Sequence, residues 1–160
     1  MDRPPFHPAT SVSARQHLGL SPLDVAQQMT LVVGARVDPD TVLAWESGTH
    51  RPTESELFAL ADVLWCRTTE LMGIKEPRNL AEHRLARQFS VNRLTRSIGM
   101  EPAEYMRAEE QNRWTGNFHQ TLSLLHALNI SFRQLEDAAG PCGLPGPDPA
   151  PDTVADRPVR

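Results

Sequence analysis

The feature that most limits what this chain can fold into is an internal repeat. "HLGLSPLDVAQQM" lies over "LARQFSVNRLTRSIG" so that Ser21 meets Ser90, Val25 meets Leu94 and Met29 meets Ile98, at an offset of 69. Further on, "VDPDTVLAWE" lies over "MEPAEYMRAE" with Pro39 on Pro102, Val42 on Tyr105 and Glu46 on Glu109, at an offset of 63. "LFALADVLWCRTTEL" then lies over "TLSLLHALNISFRQL", with Leu60 on Leu124, Leu64 on Leu128 and Leu71 on Leu135, at an offset of 64. The fall from 69 to 63 places six extra residues in the first copy, within "TLVVGARV". Matching positions that recur in order mark one structural unit used twice.

Each copy is punctuated as a series of short helices. Ser21-Pro22-Leu23-Asp24 supplies a cap, Pro at the first helical position and an acid three residues after the cap. Asp38-Pro39 opens the next helix in the same style, and Gly48 stops it. Thr53 and Glu56 form a capping box, followed by a stripe of Leu57, Leu60, Ala61 and Leu64 at helical spacing. A last short helix is expected over Thr69 to Met72. No alternating strand pattern is present, so the fold class is all-α, with five helices per unit. The units span 11–73 and 78–138. The short linker "GIKEPRN" between them implies that they pack against each other. Residues 1–10 and the Pro-rich stretch 139–160 are expected to be disordered, because neither carries enough apolar surface for a core.

Bulk properties narrow the function. No run of about 18 apolar residues predicts a membrane span, and the N-terminus lacks the order of a signal peptide. Cys66 and Cys142 lie far apart, which fits a reduced cytoplasmic protein better than a disulfide framework. The six histidines show no metal-ligand spacing, and no nucleophile elbow, phosphate loop or dinucleotide turn is present. No enzyme, metal or cofactor is therefore expected. Fifteen Arg against one Lys reads as the codon bias of a GC-rich bacterial genome. The net charge of −4 hides an asymmetry: residues 11–73 carry four basic and eight acidic side chains, and residues 78–138 eight basic and seven acidic.

Against that background, "HRLARQFSVNRLTRSIGMEPAEYMRAEE" resembles the helix-turn-helix of the Xre/Cro-type phage-repressor family, and the arginine bias points to a GC-rich, actinomycete-like source. "LSPLDVAQQM…VDPDTVLAWESGTHRPT" resembles it too, down to the closing Glu-x-Gly and the Pro before the fourth helix. The resemblance covers both units. It implies a tandem of repressor-like units packed as a pseudo-dimer, in a bacterial transcription regulator of operator DNA, cytoplasmic and nucleoid-associated. The second helix of each pair would lie in the major groove, with the two about one DNA turn (~34 Å) apart.

Carried onto this sequence, the base-reading positions fall on Pro39, Asp40 and Ala44 in unit one and on Pro102, Ala103 and Arg107 in unit two, with Thr41 and Met106 also expected at the DNA. Of these only Arg107 suits guanine directly. The position after the capping Ser, often a Gln in the family, holds Pro22 and Val91, which cannot make a bidentate bond to a base. Phosphate contacts are expected from Arg84, Arg87, Arg93, Arg96 and Arg113 in unit two and from His50 and Arg51 in unit one, and Asn92 and Ser47 are also expected at the DNA. Trp45 and Trp65 fall on apolar faces and are expected in the core. Glu46 and Glu109 are expected as half-buried carboxylates bonded to backbone or to an Arg. The main expectation is sequence-specific DNA binding led by unit two. The alternative is a protein-interaction or homodimerisation module whose acidic first unit has lost DNA binding.

Overall fold

A computed structural model describes residues 3–142. Ten helices and no strand are found among these residues. They run α1 (Pro8–His17), α2 (Pro22–Val33), α3 (Pro39–Glu46), α4 (Glu54–Leu64), α5 (Thr68–Met72), α6 (Leu80–Ala86), α7 (Val91–Ile98), α8 (Pro102–Gln111), α9 (Phe118–Leu128) and α10 (Phe132–Ala139). No helix among the described residues is long and apolar enough to cross a membrane.

The caps read from the sequence set these boundaries. The Asp24 amide donates to Ser21 Oγ at 3.1 Å while the Ser21 amide donates to Asp24 Oδ2 at 2.8 Å, satisfying two amides that the first turn leaves open. Thr53 with Glu56, Asn117 with Gln120, and Ser131 with Gln134 close the same reciprocal box. Asp38 occupies the cap position of α3, but its carboxylate makes no cap bond. It is taken by Arg36 Nε at 2.8 Å instead.

Two cores follow the repeat. The first gathers Val25, Met29, Trp45, Leu57, Leu60 and Leu71, and the second Leu94, Ile98, Tyr105, Leu124, Leu128 and Leu135. One pair of slots is filled in opposite order. Val42 and Trp45 in α3 become Tyr105 and Ala108 in α8, a small and a large side chain exchanged one turn apart, and all four are buried. Summed volume is what close packing requires, so the same framework accepts either order.

The six extra residues are now placed. α2 has 12 residues where α7 has 8, so four of them add a turn to the helix before its left-handed glycine, Gly34 against Gly99. The other two lengthen the turn into α3. Thr30 Oγ1 ties that turn down, accepting from the Val37 amide at 3.0 Å and donating to the Ala26 carbonyl at 2.8 Å. The added turn leaves Leu31 84% exposed and Val32 55% exposed.

The units touch through several elements. Leu85 of α6 belongs to the first core, and α5 packs on α6. Gln88 Nε2 donates to Asp62 Oδ1 at 3.2 Å and to Thr68 Oγ1 at 3.3 Å across the junction.

Three sequence expectations are corrected here. The N-terminal segment, expected to be disordered, is ordered from Arg3: Phe6 packs on the first core, the His7 amide donates to the Leu71 carbonyl at 2.6 Å, and α1 begins at Pro8. Gly73 permits this approach, since a β-carbon there would meet His7 Cβ at 3.0 Å and its φ is +72°. Trp65, expected in the core, is 86% exposed. It caps α4 in the left-handed region at φ 56°, which turns its side chain away from the apolar stripe. Unit two also extends past residue 138, because Ala139 and Cys142 are buried in the second core. The rest of the expected disordered tail, 143–160, lies outside the described residues.

Candidate nucleic-acid interface

The α2–α3 and α7–α8 pairs are held in place by one device used twice. In unit one, Arg15 of α1 donates from Nε to Glu46 Oε1 at 2.6 Å and from Nη2 to Oε2 at 2.9 Å, with Nη1 on the Leu20 carbonyl at 3.0 Å. In unit two, Arg84 of α6 donates from Nε to Glu109 Oε1 at 2.6 Å and from Nη2 to Oε2 at 3.2 Å, with Nη1 on the Phe89 carbonyl at 2.8 Å. The bidentate fork locks the last turn of each second helix to the first helix of its unit, and the third bond fixes the entry of the helix between them. The Glu46 and Glu109 roles read from the sequence are those found.

Arg84 itself is a correction. Expected at phosphate, it is 2% exposed, and two further bonds run from it to Glu54 of unit one, Nη1–Oε2 and Nη2–Oε1, both at 2.9 Å. A guanidinium with all its donors spent inside the protein has none left for DNA. Burial works against its charge, but the hydrogen bonds to Glu109 and Glu54 outweigh burial and hold its pKa above the ordinary arginine value. Beside this network the Tyr105 hydroxyl is buried and unpaired. Burial first, and then the Glu109 charge, keeps that phenol protonated by raising its pKa.

The other residues of unit two are at the surface. On α7, Asn92, Arg93 and Arg96 are exposed, and the Arg93 guanidinium lies 5.0 Å from the centre of the Phe89 ring. On α8, Ala103 and Arg107 are exposed and Met106 is 36% exposed. Arg107 Nε rests on the Ala103 carbonyl at 3.3 Å, so its side chain lies back along its own helix. Arg113 is exposed just after the left-handed cap Asn112. No carboxylate among the described residues pairs with Arg93, Arg96, Arg107 or Arg113. Val91 is half-buried against the second core, so its side chain serves packing. A cleft of ≈430 Å³ between the two helices is lined by Ser90, Val91, Asn92, Met106 and Glu110, with Glu54, Arg84 and Glu109. Arg87 is exposed as well but lines a different cleft, with Arg67 and Lys75.

Unit one differs in kind. Asp40 is exposed, while Thr41 and Ala44 are half-buried. Ser47 Oγ is engaged locally, donating to the Ala44 carbonyl at 3.1 Å beside Thr49 Oγ1 at 2.8 Å. His50 and Arg51 are exposed. Sequence reasoning missed Arg3, which donates to the Arg51 carbonyl and lines a cleft of ≈340 Å³ with Asp40, Thr41, Ala44 and His50. The signal for it was Phe6, an apolar anchor inside a stretch otherwise read as unstructured.

No family model, no curated protein and no solved structure matches this chain. What the surface does must be read from its own residues. Unit two presents four cations on one helix pair and the loop after it. Unit one presents exposed Asp40 and Leu43 on α3, and exposed Leu23 and Leu31 along one cleft on α2. The two copies share a framework and expose different chemistry.

Proposed function

We propose that this protein is a DNA-binding transcription regulator of the Xre type, in which unit two reads the duplex and unit one supports it. One observation carries the reading. Arg93, Arg96, Arg107 and Arg113 stand exposed without a carboxylate partner among the described residues, on the pair α7–α8 and just beyond it. Unpaired cations on a helix pair of this kind suit phosphate, and Arg107 suits guanine O6 and N7 once it swings off the Ala103 carbonyl. The net charge of −4 does not oppose this, because the acidic excess belongs to unit one. In this reading the two units act as a pseudo-dimer of unequal halves. The test is anisotropy of labelled genomic duplexes at 50–200 mM salt, with Arg93→Gln and Arg96→Gln as probes of phosphate contact.

A second reading is favoured by a separate observation. Leu31, Leu23 and Leu43 are 84%, 52% and 47% exposed on α2 and α3, where the acidic Asp40 also faces solvent. Such a surface suits a protein partner or a second copy of the chain better than phosphate. Pull-down after nuclease treatment separates the two: a partner retained by wild type and lost with Leu31→Asp supports protein docking through unit one. Loss of every partner with the nucleic acid contradicts it.

A further inference from the structure

We propose that the cleft between the two units is a binding site for a phosphate-bearing anion. Its walls come from both halves of the chain. Arg67 and Thr69 belong to the start of α5, Lys75 to the linker, and Arg87 and Gln88 to the turn after α6, around a volume of ≈520 Å³. That volume lies within the range of small-molecule sites.

The charge distribution is the main argument. Arg67, Lys75 and Arg87 are all exposed into or around one cleft, and no carboxylate is among its lining residues. Two acids stand beside it: Glu70, whose Oε2 lies 3.7 Å from Arg67 Nε with both side chains well exposed, and Asp62, whose Oδ1 accepts from Gln88 at 3.2 Å, and exposed carboxylates so placed offset only part of the three positive charges. Three cations around one hollow repel each other in a chain whose net charge is −4. An anion placed among them removes that repulsion. Lys75 is the only lysine in the chain, and its ammonium is a rotatable point charge suited to phosphate oxygens. The hydroxyl of Thr69 supplies a neutral donor on the same wall.

The cleft is also built to hold its shape. Gln88 stands in the left-handed region at φ 55°, fixed there by its bonds to Asp62 and Thr68 of unit one. An anion shared by Arg67 and Arg87 adds a second tie between the units beside Gln88. The site goes beyond the proposed DNA reading, since none of its three cations lies on α7 or α8.

Phosphate chemistry has two sources here, a free phosphorylated compound and the backbone of a duplex. Calorimetric titration of the full chain with inorganic pyrophosphate tests the first, and duplex anisotropy tests the second. Wild type, Lys75→Gln/Arg87→Gln and the control Arg93→Gln/Arg96→Gln are compared in both. Pyrophosphate binding to wild type and to the control, weakened by about 100-fold in Lys75→Gln/Arg87→Gln as about tenfold per charge, supports a site for a free anion. Duplex affinity that falls in Lys75→Gln/Arg87→Gln, with no pyrophosphate bound, supports the same cleft as a seat for backbone phosphate. If pyrophosphate does not bind and duplex affinity is unchanged by Lys75→Gln/Arg87→Gln, the proposal is overturned. The pyrophosphate arm needs no DNA, so its result is independent of the reading of unit two. The three cations are surface residues, and matching thermal melts confirm that the variants fold.

Discussion

Arg84 and Glu109 form a closed pair, Nε to Oε1 at 2.6 Å and Nη2 to Oε2 at 3.2 Å, with side chains only 3% and 13% exposed. Removing one partner leaves the other buried without compensation. Arg84→Ala is expected to destabilise the protein by about 3–5 kcal/mol in urea unfolding. Arg15→Ala in unit one, where the same pair has a 14% exposed arginine, should cost less, about 1.5–3 kcal/mol. Equal losses in the two units would show that burial does not set the cost.

His83 gives a pH dependence with a definite sign. Burial lowers its pKa, with the Glu82 charge opposing, so the folded protein holds the ring neutral at pH values where the unfolded chain protonates it. A depressed folded-state pKa contributes stability that is present above the unfolded value of 6.5 and is lost as pH falls below it. Melting temperature should therefore fall from pH 7 towards pH 5, and His83→Gln should flatten that part of the slope whatever it does to the absolute level. An unchanged slope in the variant would assign the effect to other groups.

Trp65 is expected to tolerate loss of its side chain. It is 86% exposed and sits at φ 56°, where a β-carbon is strained and glycine is not. Trp65→Gly should be neutral or stabilising, by up to about 1 kcal/mol. A loss of more than that by chemical denaturation would mean that the ring packs on something the folded chain needs.

Gly116 should behave in the opposite way. A β-carbon there runs into the Trp114 ring, which is buried and donates from Nε1 to Thr121 Oγ1 at 2.8 Å. Gly116→Ala is expected to cost about 1–3 kcal/mol and to perturb the Trp114 fluorescence, because the ring must give way. Retention of both stability and spectrum would show that the turn can open without cost.

The repeat made most of the fold legible. Local rules fix caps and stripes, so the helices α2 to α5 could be read from Ser21, Pro39, Thr53 and their neighbours, and the repeat carried the same series into unit two as α7 to α10. The offsets of 69 and 63 reappear in space, since Arg15 and Arg84 bond Glu46 and Glu109. What local pattern does not carry is which side of an arginine-rich helix faces inward. Arg84 looks like its exposed neighbour Arg87 in the sequence, and only the convergence of Glu109 and Glu54 takes it out of solvent. Trp65 failed for a related reason: one left-handed cap rotated it off the stripe it continued. The N-terminal segment was misread because its order depends on the distant Leu71 carbonyl.

The central claim, that unit two reads DNA, is tested most directly by the salt dependence of duplex binding. Affinity for a duplex selected from genomic fragments should fall on a log–log plot with a slope of about −3, as the three phosphate-neutralising arginines Arg93, Arg96 and Arg113 require. Arg93→Gln and Arg96→Gln should each reduce the slope by about 1, and Arg107→Ala should cost about 1–3 kcal/mol and relax preference at one base pair. No binding at micromolar protein, or a slope that is flat and indifferent to Arg93 and Arg96, would contradict the account.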